Sequence, residues 1–415
     1  MKRIVKKILK FSAKIALKRN NYKIIAITGS AGKTSTKKAI SLVLKKRFKI
    51  LSLEEGYNTE FGLPLVLIGK KVPESKLGWL PVVIIAPFLA LKKRDYDFCV
   101  LEMGADRPGD IEYLASIAKP DIAVVTNVSG AHLEEFKTIE NVAKEKAKLL
   151  SRLTNGGYAA INADDKYAGK MKAPETTTKV TYGRNSEEIK VIGQDFGEKG
   201  SANRFSVYGR DLEIKTRSMG EHILYVFAAA IAVGVINKVD IPDIKKALEG
   251  FEPARGRLNI LKGLKNSIII DDSYNASPAS MKNALDVLAH FKGRKIAALG
   301  SMGELGSYEK EAHQDIGRYL IGKCDILVTV GSVAENYLAA SAVNAGMQRN
   351  NVRSFENSTE AGEYLKNLIR KGDVTLLKGS QNASRMEKAV KIIMKNPEGA
   401  GKLLCRQGGE WRKRD

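Results

Sequence analysis

The apolar run KIIAI, residues 23–27, leads into TGSAGKTSTK, residues 28–37, and then into a helix-forming segment. A strand that delivers the chain to a tight turn at Gly29 and Gly32, with Lys33 and Thr34 next and a helix behind them, is built to hold an anion. Backbone N–H groups and the helix dipole both face it. Lys33 reaches β- and γ-phosphates, and Thr34 can ligate Mg²⁺. Gly29, Ser30, Ala31, Gly32, Lys33, Thr34 and Ser35 form the expected ATP-binding set. The common form of this loop has a glycine where this chain has Ile27, so a Gly-rich strand-to-helix turn without a ligand is the competing reading.

From residue 23 onward short apolar strands alternate with helix-like segments, the pattern of a parallel α/β sheet. Strands are expected at 23–28, 98–103, 122–128 and 158–162, with helices starting near Lys33, Asp110 and Ile139. Residues 179–208 read as strands and turns, and 220–236 as a buried helix. Pro253 and Gly256 punctuate the chain, and a second alternating unit follows with strands at 267–271, 295–299, 326–330 and 375–377. The segment from 396 to 415 reads as a charged, peripheral tail.

The first 23 residues carry nine Lys/Arg and no acid. Ile4, Ile8, Phe11 and Ile15 recur at helical spacing, which predicts one apolar face. Neither a signal peptide nor a spanning helix fits this run. It is expected either to lie on an anionic bilayer or to dock on the domain behind it. LGWLPVVIIAPFLALKKR, residues 77–94, is too short to span and reads as a buried helix or a second membrane-surface contact. The net charge of +23 accompanies no signature of base readout, so nucleic acid is not an expected partner. Cys99, Cys324 and Cys405 are too scattered for a disulfide framework or a metal site and suit a reducing cytoplasm.

Glu102 ends an apolar strand in VLEMGADRPGDI, where a carboxylate suits Mg²⁺; a salt bridge to Arg107 is the plainer alternative. His132 follows another strand in VVTNVSGAHLEEF. Lys144, Lys146 and Lys148 stand in a helix at a spacing that reads as a solvated face.

TGSAGKTST, GYNTEFGLP, VLEMGADRPGDI, TNVSGAHLEEF, VAKEKAKLL, NADD, ARGRL, DDSYNASPASM, GSMGELG and LLKGSQN, in this order from about residue 23 to 392, resemble the Mur ligase family. The likeness is greatest to the branch that adds D-alanyl-D-alanine to a UDP-linked tripeptide. The family's loop has the compact G-x-x-G-K-T spacing found here. The resemblance implies an α/β architecture: a basic helix (1–22), a central P-loop ATPase domain with a mostly parallel sheet (23–253, with 77–94 as an apolar insertion) and a C-terminal Rossmann-like domain (254–395).

It also implies the chemistry. ATP phosphorylates an acceptor carboxylate, and an amine, here D-alanyl-D-alanine, attacks the acyl phosphate. Thr34 and Glu102 would hold one Mg²⁺ and His132 would contribute to a second. Lys146 would be carbamylated and serve as an oxygen ligand. Lys33, Asn58, Lys146, Arg257 and Asn275 are the implied catalytic set. Arg257 reaches the ATP phosphates and Asp272 the ribose. Glu304, His313, Lys378 and Ser380 shape the amine pocket as a region. A cytoplasmic monomer acting on small-molecule peptidoglycan precursors is expected, with peripheral contact at the inner face of the cell membrane only in the reading where the first helix lies on lipid.

Two departures stand out. Only 27 residues precede Thr28, where the family usually has on the order of a hundred, which leaves no room for a UDP-binding domain. The acceptor would then be held by another part, by a partner, or be a different molecule. In GEHILYVFAAA, His222 remains, but Ile223 and Val226 stand where the family has asparagines. A related ligase with a folate-like, polymeric or lipid-linked acceptor, or a weakly catalytic module that recruits wall enzymes to the membrane, stay open as alternatives.

Overall fold

A computed structural model describes residues 2–53, 58–73, 78–130, 133–197 and 200–408. The chain divides into two compact units, with the main boundary between Phe251 and Glu252.

The first unit is built on a nine-stranded sheet. Its strands are β1 (Lys23–Thr28), β2 (Ile50–Leu51), β3 (Phe98–Glu102), β4 (Ile122–Val125), β5 (Tyr158–Asn162), β6 (Thr178–Gly183), β7 (Ile189–Gly197), β8 (Gly200–Val207) and β9 (Arg210–Thr216). They lie in the order β2-β3-β1-β4-β5-β6-β7-β8-β9. Pairing is parallel from β2 to β7, and β8–β9 is an antiparallel hairpin. The helices are α1 (Lys2–Asn20), α2 (Lys33–Leu44), α3 (Gly62–Leu67), α4 (Trp79–Ala90), α5 (Asp110–Ile117), α6 (Leu133–Phe136), α7 (Ile139–Ser151), α8 (Glu221–Ile236) and α9 (Ile241–Glu249).

The strands read as continuous apolar runs because both sheet faces are covered. Ile25, Ile27 and Val124 face a core with α2 and α8, while Ile24, Ala26, Leu101 and Val125 face a second core with α5 and α7. Parallel neighbours β3 and β4 flank β1, so the chain leaves the sheet in opposite directions there. That is the switch point at which open α/β sheets leave a crevice beyond the carboxyl ends of their strands.

Two expectations change in this unit. Helix α1 docks through Leu9, Ala13 and Ala16, packed with Leu65, Ile68, Ala86 and Ala90; of the expected stripe Ile15 packs here, while Ile4 and Phe11 are exposed. Small residues let the helix axes approach, so Ile4 and Phe11 are left outside. Nor is α4 a buried helix: of its twelve residues only Ala86 and Ala90 are fully buried. In α8, Ile223 and Val226 are core residues, which gives those two positions a packing role in place of amide chemistry.

The second unit carries β10 (Asn259–Lys262), β11 (Ile268–Asp272), β12 (Lys295–Gly300), β13 (Ile326–Val330), β14 (Val352–Phe355) and β15 (Val374–Lys378) in the order β10-β11-β15-β12-β13-β14. All pairs are parallel except β10–β11. Its helices are α10 (Pro278–Ala289), α11 (Glu309–Tyr319), α12 (Ala340–Asn344), α13 (Ser358–Leu368), α14 (Glu387–Ile393) and α15 (Ala400–Leu403). The chain beyond 396 is not a peripheral tail through its described part. Leu404 and Cys405 are buried, and the guanidinium of Arg406 donates to the carbonyls of Ser273 (2.6 Å) and Tyr274 (2.7 Å) and to Glu387 (2.9 Å). An arginine fork there ties the last turn to the loop after β11.

Candidate active site at the strand ends of the first unit

The loop after β1 is held open by its own geometry. Gly29 has φ +153°, and a Cβ there would lie 1.8 Å from Thr126 Oγ1. Gly32 has φ +81° and supplies no side-chain cap to α2. Glycine at the N-cap therefore puts no side-chain acceptor in front of the helix start, which suits a phosphate. The segment after β4 buttresses the loop. Ser30 N–H donates to Asn127 O (2.9 Å), Ala31 N–H to Asn127 Oδ1 (2.9 Å) and Thr126 Oγ1 to Ala31 O (2.7 Å). A further layer comes from NADD: Asn162 donates to Thr126 O (2.8 Å), and Asp165 accepts from Val128 N–H (3.0 Å).

Lys33 curls over the turn, its ammonium 2.6 Å from Gly29 O. Thr34 Oγ1 donates to Glu102 Oε2 at 3.0 Å, and Lys37 pairs with Glu102 Oε1 at 2.8 Å. Lys37 also donates to Leu53 O (2.8 Å), which explains how a cation is tolerated in a buried place. Arg107, the alternative partner for Glu102, lies instead toward Glu135 at 3.9 Å. Asn58 backs onto Gly104, two residues past Glu102: Gly104 N–H donates to Asn58 O at 3.3 Å, and a Cβ on Gly104 would lie 2.8 Å from Asn58 Nδ2. Asn58, Glu60, Asp106, Asp110 and Tyr113 line a small polar groove there.

The three lysines of α7 are not one solvated face. Lys144 is exposed, Lys148 pairs with Glu145 at 2.6 Å, and Lys146 is buried. Burial pushes the Lys146 ammonium down to about 7, and the positive charge of Lys33 adds to this; Asp106 and Glu145 act in the opposite direction. Glu145 is itself held by Ile111 N–H at 2.9 Å. An amine that is partly neutral at neutral pH, close enough to the loop lysine to feel its charge, is a nucleophile toward CO₂. His132 lies outside the described residues.

Among the described residues no cluster of three or more His, Cys, Asp or Glu side chains could hold a metal alone. Thr34 and Glu102 fit a hard cation as a partial oxygen set that phosphate oxygens would complete.

In the second unit, the Arg257 guanidinium lies 4.2 Å over the Tyr274 ring, a cation–π placement that orients it. Arg255, its competitor, is exposed and donates to Gly401 O at 3.1 Å. Asp272 accepts from Lys378 Nζ (2.6 Å) and from Leu258 N–H (3.2 Å), so both its oxygens are engaged within the fold. Lys378 also donates to Asn275 O at 2.8 Å, and Asn275 Oδ1 accepts from Gln381 N–H at 3.4 Å. Asp272, Asn275 and Lys378 thus form one hydrogen-bonded constellation, with Asp272 and Lys378 buried and Asn275 half-buried. Burial pushes Lys378 down, opposed by Asp272. His313 is a core histidine: Nδ1–H donates to Glu309 O (2.7 Å) and Nε2 accepts from Met302 N–H (2.9 Å). Burial lowers its affinity for a second proton, and the neutral ring satisfies both bonds. Ser380 is also buried, with its Oγ accepting from Ala383 N–H at 3.3 Å.

Sequence reading overlooked Lys37, Thr126, Asn127 and Asp106. Lys37 had a usable signal, since it stands four residues after Lys33 on the same face of a helix that begins at the loop. The other three stand inside the quoted motifs TNVSGAHLEEF and VLEMGADRPGDI, but their contacts could not be read because their partners are distant in sequence.

Residues 27–234 match the Mur ligase middle domain and residues 256–381 the Mur ligase glutamate ligase domain. Helix α1 lies outside both stretches. The chain is 28% identical over 388 residues to the UDP-N-acetylmuramoyl-tripeptide–D-alanyl-D-alanine ligase of Bacillus subtilis, covering 93% of this chain and 79% of that one. It is 31% identical over 399 residues to the enzyme of the same name from Mycobacterium leprae, covering 86% and 71%. Its fold is similar to that of the MurF ligase of Thermotoga maritima solved with ADP, at TM-score 0.78 and 26% identity, covering 99% of this chain and 85% of that one. With the phosphate loop, the strand-end glutamate and the buried helix lysine standing inside the first matched stretch, this chain is a member of the Mur ligase family.

Proposed function

We propose that this chain is an ATP-dependent ligase of peptidoglycan precursor synthesis that joins D-alanyl-D-alanine to the carboxyl group of a UDP-N-acetylmuramoyl-tripeptide. The observation that carries the reading is the Thr34–Glu102 pair, 3.0 Å apart immediately behind the Gly29–Gly32 turn. A phosphate loop and a cation-binding carboxylate there suit phosphoryl transfer. The named relatives and the ADP-bound neighbour support the substrate assignment.

A carboxylate and an amine do not condense in water without activation. The acceptor carboxylate oxygen forms a bond to the γ-phosphorus of ATP as the bond to the β–γ bridging oxygen breaks, and ADP leaves. The amine then attacks the acyl carbon, the C–O bond to phosphate breaks, and the amine proton passes to solvent or phosphate. This chemistry needs positioning and charge more than covalent help.

Lys33 and the N–H groups at the start of α2 hold the β- and γ-phosphates, while the N–H groups of Ser30 and Ala31 brace the turn against Asn127. Thr34 and Glu102 would hold Mg²⁺, which neutralises phosphate charge when bound. Lys37 pairs with Glu102 and fixes its aim. Lys146 would take up CO₂ as a carbamate, converting a buried cation into an oxygen ligand for a second ion. His132 is assigned to that ion from the family resemblance. Asn58 faces the acceptor side, next to Gly104. Arg257 is assigned to the phosphates, Asp272 to the ribose and Asn275 to the reacting groups from the family resemblance alone. The reaction belongs in the cytoplasm, where ATP is supplied.

The test is phosphate release and product mass, with ATP, Mg²⁺, D-alanyl-D-alanine and UDP-N-acetylmuramoyl-tripeptide supplied together and with each omitted. Phosphate release that requires both the amine and the acceptor supports the reading. Turnover that ignores D-alanyl-D-alanine, or parental rates in Lys33→Ala and Glu102→Ala, would defeat it.

A further inference from the structure

Helix α4 is apolar along its whole length, yet only two alanines of it are buried. Leu80, Ile84, Phe88 and Leu91 are each between 57% and 72% exposed, and Ile4 and Phe11 of α1 are exposed to a similar degree. Between the two helices runs a shallow groove lined by Lys7, Ile8, Phe11, Val83, Ile84 and Pro87. A contiguous apolar surface of this kind marks an interaction site.

The face is held outward. Arg94 donates to the carbonyls of Leu67 (3.1 Å) and Leu89 (3.1 Å) and also to Ile68, while its own N–H donates to Asn20 Oδ1 at 2.5 Å. Helix α1 is fastened on its other side, with Lys10 donating to Ser116 Oγ at 2.7 Å and Lys6 lying 3.9 Å over the Tyr113 ring. With both helices pinned, neither can roll its bulky side chains inward.

Charge selects the occupant. Arg3, Lys7, Lys14 and Lys18 of α1 are exposed, as are Lys92 and Lys93 just past α4, and residues 2–20 contain no acid. A second copy of this chain would bring the same cations face to face. An anionic bilayer presents acyl chains to the apolar strip and negative headgroups to its rim. At about 1.5 Å per residue α4 is roughly 18 Å long, short of the about 30 Å hydrocarbon core, and among the described residues no helix is long and apolar enough to cross a membrane. A helix lying in the interface fits; a span does not.

We infer that the joint face of α1 and α4 is a docking surface for the anionic leaflet of a lipid bilayer. The contact runs through α3, which packs against α1 and directly follows the segment bearing Asn58, so it would hold the acceptor side of the first unit near lipid.

The experiment is flotation of the full chain with vesicles of equimolar phosphatidylglycerol and phosphatidylcholine, and with phosphatidylcholine alone, at low and high salt. The parent should float with the anionic vesicles, at least tenfold less at high salt, and hardly with the neutral ones. Phe11→Glu/Phe88→Glu should abolish flotation while leaving the melting temperature and ATP turnover unchanged. Should that variant misfold, Lys7→Gln/Lys14→Gln/Lys93→Gln, all at exposed positions, should still weaken flotation and flatten its salt dependence. No flotation by the parent, or equal flotation by folded variants, overturns the inference. So does a parental dimer that Phe11→Glu/Phe88→Glu converts to monomer without any vesicle binding. Ligase activity is read separately, so failure of the catalytic assignment and failure of this one are distinguishable.

Discussion

The Lys37 ammonium lies 2.8 Å from Glu102 Oε1, and both side chains are buried at the carboxyl end of β3. Glu102 is thus held in a dry place by a neighbour one helical turn past the phosphate loop. Lys37→Met should destabilise the first unit by about 3–5 kcal/mol, the range for removing one member of a buried pair. Lys37→Met with Glu102→Gln should cost clearly less than the two single changes added together. Urea unfolding of the four proteins of this cycle reads the coupling, and strict additivity would show that the pair is not a unit.

Lys146 makes a second, pH-dependent prediction. Its folded affinity for the proton is pushed down to about 7 from the ordinary 10.5. Below about pH 7 both folded and unfolded chains carry the proton, so the burial penalty is fully present. Between about 7 and 10.5 only the unfolded chain carries it, so stability rises with pH. Lys146→Met should therefore be more stable than the parent at pH 6, with the difference fading toward pH 10. A difference independent of pH would contradict this. Lys146→Ala should lose at least about tenfold in ligation and regain part with added short carboxylates. A carbamate signal from ¹³C-labelled CO₂, absent in the variant, is the direct check.

Gly29 tolerates no side chain. A Cβ would meet Thr126 Oγ1 at 1.8 Å, and the φ of +153° is unfavourable for any L-residue. Gly29→Ala should cost about 1–3 kcal/mol from overpacking and backbone strain and weaken ADP binding at least tenfold. Adding Thr126→Ala should recover part of both losses, because the clash is with its hydroxyl. Calorimetric titration of ADP into the parent and the two variants measures this, and no recovery would place the strain in the backbone alone.

Asp271, next to Asp272 in the sequence, is fully buried, with Oδ1 accepting from Ser273 N–H at 3.1 Å and Oδ2 lacking a hydrogen-bond partner. Burial raises its carboxyl to about 6 from 3.8. Below about pH 4 the proton is bound in both folded and unfolded chains and the aspartate costs nothing. As pH rises from 3.8 to 6 the unfolded chain ionises first, and stability falls. Asp271→Asn should therefore stabilise the second unit at neutral pH by on the order of 1–3 kcal/mol, with the gain vanishing near pH 4. Melting curves from pH 4 to 8 would expose a failure as a constant offset.

Much of the scaffold was legible before any coordinates. Alternating apolar strands and helices, with glycine turns between them, announce a parallel sheet because burial on both faces leaves that signature in the strand itself. The Gly29–Thr34 loop is legible for the same reason: its parts are neighbours in the chain, and the N–H groups that would hold phosphate belong to consecutive residues. Glu102 could be named because a carboxylate ending an apolar strand has little structural reason to be there.

What the sequence determined alone was local: which segments become strands and helices, where the phosphate turn lies, and which residue types stand ready beside it. Tertiary structure decided which of three α7 lysines is buried, that Lys37 and not Arg107 answers Glu102, that Asn127 props the loop, that residues 404–406 are packed, and that α1 docks by its alanines with Phe11 left outside. Each of these depends on atoms brought together from positions tens of residues apart. Burial and pairing are properties of that meeting, and no local pattern of apolar and charged residues encodes them.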